Sequence, residues 1–268
     1  MISSFPEVSI LGKIERQLIQ MEGYLRDSPK MSLSDARTLL DVSDSTARRL
    51  FARLEERGSA IRVHGGVQSI PKSRPEYSYP CMESRRLAQK KRIARAAIDL
   101  IGPSRIIFLD TGSTVNQLSL SIAYCLRAGR RETIRLFTNS VKNLQALSGL
   151  AEIQFIGGKY REHRQDCCGF LAEEALKELN FDLCFLGADG CDIDQGVSCT
   201  DMETARLGSL AVDRSRRRIV LMDSEKFRAG ALFTYAPMEK LDAVISDTEL
   251  SPALESRLRE KGVEAHLK

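Results

Sequence analysis

The chain has 268 residues, 43% of them hydrophobic and 28% charged, no tryptophan, and a formal net charge of +4. That size suits one small and one medium domain. No apolar run approaches the roughly 20 residues that span a bilayer, and the start is too polar for a secretory signal, so a cytoplasmic protein without a membrane partner is expected.

The charge is unevenly placed. Residues 1–92 carry 17 Lys and Arg against 11 Asp and Glu, and the remainder carries 23 against 25. A basic head on a nearly neutral body suits a DNA reader joined to a small-molecule sensor. Seven cysteines, with Cys167 and Cys168 adjacent and no CxxC spacing, read as reduced thiols rather than a metal site or disulfide framework.

In chain order, Ile14, Leu18, Met21, Tyr24 and Leu25 recur at helical spacing. Leu33, Ala36, Leu39, Leu40 and Val42 give the apolar face of a second helix, and Asp41-Val42-Ser43 is a turn. At about 100° per residue, Ala47, Leu50, Phe51 and Leu54 then fall on one narrow arc of a third helix. Ser45, Arg48 and Arg49 lie opposite, Thr46, Arg53 and Arg57 lie on one flank, and Ser43 can cap the first turn. Two short helices joined this tightly, the second with an arginine face, predict a helix-turn-helix whose second helix reads the major groove.

After Gly58, a C-cap, Ile61 and Val63 alternate with Arg62 and His64, and Gly65-Gly66 permits a tight reversal. Alternation predicts a wing with Arg62 and His64 facing outward toward phosphates or the minor groove. The expected DNA-contacting set is Ser43, Ser45, Thr46, Arg48, Arg49, Arg53, Arg62 and His64. These elements predict a winged helix-turn-helix over residues 1–70, followed by a proline-rich linker over 71–85 and an α/β domain over 86–268.

In the α/β domain, apolar runs at 106–109, 134–137, 153–156, 183–186, 219–222 and 243–246 are separated mostly by helical patterns. Near-continuous apolar strands with helices between them predict a mostly parallel sheet covered on both faces. Ligands of such sheets bind beyond the carboxyl ends of the strands. Those ends carry Asp110-Thr111-Gly112-Ser113-Thr114, Thr138-Asn139, Gly157-Gly158-Lys159, Asp189-Gly190 and Lys226.

Glycines let a ligand approach the backbone, and hydroxyls with free N–H groups at a helix start hold an oxyanion. Lys159 and Lys226 would supply countercharge, and Asp110, Asn139 and Asp189 would meet sugar hydroxyls. One such loop is an ordinary turn. Five at equivalent strand ends favour a phosphorylated polyol as effector, with no cofactor, and neither a nucleotide P-loop nor a dinucleotide fingerprint is present.

VSDSTARRLFARLEERG followed by IRVHGG resembles the winged helix-turn-helix of the DeoR-type bacterial regulators of sugar catabolism. The chain departs from that pattern at Ala47, Leu50 and Phe51, where Ile, Asp and Leu are usual. DTGST, TNS, GG, Gly169, DLCFLGADG, GVS and DSEKF continue the resemblance through the α/β domain, with Glu225 where Ser is usual. The resemblance implies a phosphosugar-responsive regulator, often a repressor released from its operator, and a sensor fold like that of ribose-5-phosphate isomerase. A dimer or tetramer on repeated or palindromic double-stranded sites is expected, because paired half-sites need paired readers.

Two rivals accompany this reading. A sugar-phosphate isomerase keeps Asp189 and Glu203, but Leu186 stands where the isomerase pattern has Asp, and DQGVSCTDME replaces its lysine-bearing glycine segment. The third reading is a DNA-binding oligomer without a ligand, against which the Asp110–Thr114 loop argues.

Overall fold

The computed structural model describes residues 13–28, 30–56, 59–63, 65–69, 77–129, 134–228 and 230–268. The chain divides into two compact units, Met1–Pro75 and Glu76–Lys268.

The first unit contains helices α1 (Lys13–Asp27), α2 (Leu33–Leu40) and α3 (Asp44–Glu56), with strands β1 (Lys30–Ser32), β2 (Ala60–Val63) and β3 (Gly66–Ser69). α2 starts on a capping box, in which the Asp35 N–H donates to Ser32 Oγ at 3.1 Å and the Ser32 N–H donates to Asp35 Oδ2 at 2.9 Å. It stops at Asp41, whose left-handed φ of 50° turns the chain. Ser43 caps α3 by accepting from the Thr46 N–H at 3.4 Å. Leu18, Met21, Leu25, Ala36, Ala47, Leu50, Phe51 and Leu54 form the core with Met31, Ala60 and Val67. Leu50 is 3% exposed, so it packs where an aspartate would be held out. Ile14 and Leu39, expected in this core, are exposed at its margin.

The wing corrects two expectations. It has three strands in the order β1-β3-β2, because Lys30–Ser32 pairs antiparallel with β3. Its faces are also not sorted as alternation suggests: Ala60 and Val67 are buried, while Ile61, Arg62 and Val63 are all exposed. Arg62 shares a face with Ala60 and lies opposite Val67, and there its Nε donates to Glu55 Oε2 at 2.7 Å. Alternation in a short strand separates two faces without saying which is buried; the carboxylate on α3 and the small Ala60 decide it. His64, Arg57 and Gly58 lie outside the described residues.

In the second unit, seven parallel strands form one sheet in the order β15-β14-β12-β9-β4-β5-β6. They are β4 (Ile106–Leu109), β5 (Arg135–Thr138), β6 (Glu152–Phe155), β9 (Phe181–Gly187), β12 (Ser215–Leu221), β14 (Ala243–Ser246) and β15 (Glu264–Leu267). The last of these, short and half polar, has no clear apolar run. Ile107, Leu109, Leu183 and Phe185 face α5 (Leu87–Leu100), α6 (Ser113–Arg127) and α7 (Val141–Leu147) in one core layer. Phe108, Cys184 and Leu186 face α8 (Phe170–Lys177), α9 (Met202–Asp213) and α10 (Pro252–Glu260) in the other. Strict alternation of side chains between two covered faces is why these strands read as continuous apolar runs.

Smaller antiparallel pieces crown the strand ends: β7 (Lys159–Arg161) with β8 (Asp166–Cys168), and β10 (Gly190–Asp192) with β11 (Gly196–Cys199) and β13 (Phe233–Ala236). Residues 77–85, expected to end the linker, are folded onto this unit instead. α4 (Tyr79–Ser84) begins there with Pro80 in its first turn, Tyr79 is 1% exposed, and its N–H donates to the His163 carbonyl at 2.7 Å. Aromatic burial, invisible in a proline-rich composition, makes the difference.

Candidate functional site

On the first unit, Ser43, Ser45, Arg48, Arg49 and Arg53 are exposed and Thr46 is half-buried. Ser43 Oγ lies 2.9 Å from Ser45 Oγ and 3.1 Å from Thr46 Oγ1, so the start of α3 presents a cluster of hydroxyls. Among the described residues Arg48, Arg49 and Arg53 have no carboxylate partner, whereas Arg62 donates from both its Nε and its backbone N–H to Glu55. Three unneutralised guanidinium groups on the helix that follows the turn can meet phosphates or guanine edges. Arg62 brings its charge already half spent.

On the second unit, chain order identifies the crevice. β5 and β6 extend the sheet to one side of β4, and β9, β12, β14 and β15 extend it to the other. The switch point therefore lies between the ends of β4 and β9, where open α/β sheets bind ligands. A pocket opens there, lined by Asp110, Thr111, Gly112, Ser113, Thr114, Asp189 and Lys226, which the sequence singled out. Lys90, Arg164 and Tyr77 line it as well.

α6 enters this pocket at its N-terminus. Gly112 precedes it at φ 109°, with no side chain capping the first turn, and the first N–H to be used within the helix is that of Asn116. The earlier N–H groups and the positive end of the helix dipole thus face the pocket. Thr111 Oγ1 is buried with no hydrogen-bond partner among the described residues. Lys90, 3% exposed, gives one proton to the Arg85 carbonyl at 2.6 Å and another to that of Met82, which leaves one of its three for the pocket. Burial lowers its pKa to about 8, against the pull of Asp223. Asp110 is 5% exposed, and burial pushes its carboxyl up to about 7, although the N–H groups of Thr111 and Gly187 favour the anion.

Other expected residues are placed elsewhere. Thr138 and Asn139 are fully buried and structural: Thr138 Oγ1 donates to the Leu109 carbonyl at 2.6 Å, and Asn139 Nδ2 to that of Cys167 at 3.0 Å. Their strand, β5, stands one place from the switch point, so its end serves β4 and β8 rather than the crevice. Gly158 admits the close approach of β8, where its Cβ would sit 2.5 Å from the Cys168 carbonyl oxygen, and a Cβ on Gly157 would meet nothing within 4 Å. Lys159 points to Glu203 at 3.3 Å on an exposed edge, and Gly190 pairs with Ser198 in the small sheet. The pocket's cations are Lys90, Arg164 and Lys226 instead. Lys90 was hidden in a basic helix, and Arg164 in a loop without glycine or hydroxyl signals. Glu225, the acid that stands beside Lys226 where Ser is usual, is engaged by Arg85 at 2.5 Å and Arg86 at 3.5 Å.

Among the described residues, no helix is long and apolar enough to cross a membrane, and no group of three His, Cys, Asp or Glu is placed to hold a metal.

A winged helix-turn-helix joined to an α/β unit with a polar pocket at its switch point is the build of a DNA-binding regulator with a sensor domain. Residues 17–73 match the DeoR-like helix-turn-helix domain, and residues 85–248 match the DeoR C terminal sensor domain. The chain belongs to the DeoR family of transcriptional regulators. A protein of Escherichia coli O157:H7 named as an aga operon transcriptional repressor is 31% identical over 97% of this chain and 96% of its own length. The lactose phosphotransferase system repressor of Lactococcus lactis is 30% identical over 89% of this chain and 92% of its own. Among solved structures, ribose 5-phosphate isomerase from Plasmodium falciparum is 21% identical over 52% of each chain, with a TM-score of 0.38.

Proposed function

We propose that this regulator represses a carbohydrate-utilisation operon, reading its operator through Ser45, Thr46, Arg48 and Arg49 of α3 and through the wing, and that a phosphorylated sugar in the switch-point pocket releases it. The names of its relatives, repressors of the aga operon and of the lactose phosphotransferase system, support the carbohydrate reading. The observation that carries the effector class is the pocket itself, in which an uncapped helix N-terminus and the cations Lys90 and Lys226 converge with the carboxylates Asp110 and Asp189. The first group suits a phosphate and the second suits hydroxyls. The chain acts as a homo-oligomer in the bacterial cytoplasm, paired to match paired half-sites.

The test is a thermal-shift screen with pentose and hexose monophosphates against the unphosphorylated sugars. At about a hundred-fold excess over Kd a true effector stabilises by roughly 2.7 kcal/mol. Stabilisation by a free sugar, with none from any sugar phosphate, overturns the phosphate assignment. In the same samples, no aldose–ketose interconversion is expected, because both acids of the rival isomerase reading are held: Asp189 Oδ2 accepts from Arg164 and from the Thr200 N–H, and Glu203 accepts from Lys159 and from the Cys168 thiol at 3.2 Å.

A further inference from the structure

Arg164 sits in the turn between β7 and β8, with its side chain 4% exposed. Its Nη2 donates to Asp189 Oδ2 at 3.1 Å and its Nη1 to Thr200 Oγ1 at 3.3 Å, while Nε lies 3.4 Å from Asp201 without making a hydrogen bond. The guanidinium carbon also lies 3.9 Å from the centre of the Tyr77 ring. Arg164 therefore has the pocket and Asp189 on one side and an aromatic face on the other. Planar stacking of this kind is particular to arginine and is not reproduced by lysine.

Tyr77 stands at the start of the second unit, one residue after the boundary at Pro75–Glu76, and the backbone beside it holds the same turn again, through the Tyr79 N–H on the His163 carbonyl at 2.7 Å. So the segment arriving from the DNA-binding unit grips one four-residue turn at two successive residues, and one of those residues is a wall of the pocket.

One oxygen of Asp189, Oδ2, is crowded with donors. The same Oδ2 accepts from Arg164, from the Thr200 N–H and from Thr200 Oγ1, the last two at 3.0 Å. A sugar hydroxyl reaching Asp189 Oδ2, or a phosphate reaching Arg164, competes with that pair. Displacing the guanidinium from Asp189 moves the plane on which Tyr77 rests.

We propose that the Arg164–Tyr77 stack is the link by which occupancy of the pocket reaches the segment leading to the helix-turn-helix, with Arg164 as the positioning residue. The inference rests on the phosphosugar reading of the pocket. A sugar phosphate acts through it by binding one arrangement of the stack better than the other, and its leverage equals that difference in affinity.

The experiment uses full-length wild type, Tyr77→Ala, Tyr77→Phe and Arg164→Lys, with a DNA duplex selected by the wild type from a random pool. Ribose 5-phosphate, glucose 6-phosphate, fructose 1-phosphate and fructose 6-phosphate are the probes. Each variant is compared at a concentration that saturates its own thermal shift, so a change in affinity for the probe does not enter. Expected for the wild type and Tyr77→Phe is a loss of DNA affinity of about ten-fold or more. For Tyr77→Ala, the thermal shift persists while DNA affinity changes by less than about two-fold, and Arg164→Lys, which alters a cation of the pocket itself, shows the same loss of release at its own saturating concentration. Equal release from Tyr77→Ala and wild type overturns the link and leaves the phosphosugar reading standing. Loss of the thermal shift in Tyr77→Ala also overturns it, by making Tyr77 part of the binding surface. If the wild type is shifted by none of the four probes, the phosphosugar reading fails and the link fails with it.

Discussion

Asp110 sits at the mouth of β4, 5% exposed, with its carboxyl raised by burial from 3.8 to about 7. The sign of the consequence follows from proton counts. Between about pH 4 and 7 the unfolded chain releases this proton while the folded chain keeps it, so the stabilisation is complete below pH 4 and is lost as the pH rises toward 7. Asp110→Asn keeps the shape and removes the titration. Its melting temperature, measured against wild type, should therefore rise by several degrees between pH 5 and pH 8. A difference that stays constant across that range would place the carboxyl at its ordinary value. Arg62 yields a second expectation at this scale. Hydrogen bonding to Arg62 holds the Glu55 carboxyl below its usual range, so the pair is charged at neutral pH. Arg62→Ala should then cost less DNA affinity, and change its salt dependence less, than Arg49→Ala, which removes a cation with no carboxylate partner among the described residues. Equal losses in a titration over salt would show that Glu55 lets Arg62 go on binding.

At the scale of elements, the wing depends on one close approach. A Cβ added to Gly66 would lie 2.1 Å from the Met31 carbonyl oxygen, which is backbone and cannot swing aside. Gly66→Ala should force β1 and β3 apart and destabilise the first unit by on the order of 2–3 kcal/mol. Circular dichroism melts and DNA binding would report it; an unchanged melt would mean the sheet adjusts freely. The sequence showed Gly65-Gly66 as a turn, and it did not show the second glycine as a contact, because its partner Lys30–Ser32 is too short to carry a periodic pattern. The same limit explains the candidate site. Helix α3 was legible because four apolar residues define its buried arc. Asp110–Thr114 was legible because strand, glycine and helix start follow one another without a gap. Thr138 and Asn139 also stand between a strand and a helix start, yet which strand end borders the crevice depends on strand order, and strand order is not written locally. Lys90 and Arg164 reach the pocket from a helix face and a turn that become its walls only after the chain has folded over the sheet.

For the whole molecule, the two units have separate cores and opposite duties, and their thermodynamics should show it. The first is small, and its apolar set is confined to three helices and one short sheet. The second buries both faces of a seven-stranded sheet. Small domains bury a smaller fraction of their surface and are correspondingly marginal. Calorimetry of the full chain should therefore resolve two transitions, the first unit melting below the second. Coupling between an effector pocket and a DNA site is typically about 1–3 kcal/mol, which biases an equilibrium without fusing two cores into one cooperative block. A sugar phosphate that binds the switch-point pocket should raise the upper transition by its binding free energy and leave the lower one nearly in place, while Gly66→Ala should lower only the first. A single transition that both perturbations move together would mean that the units unfold as one body.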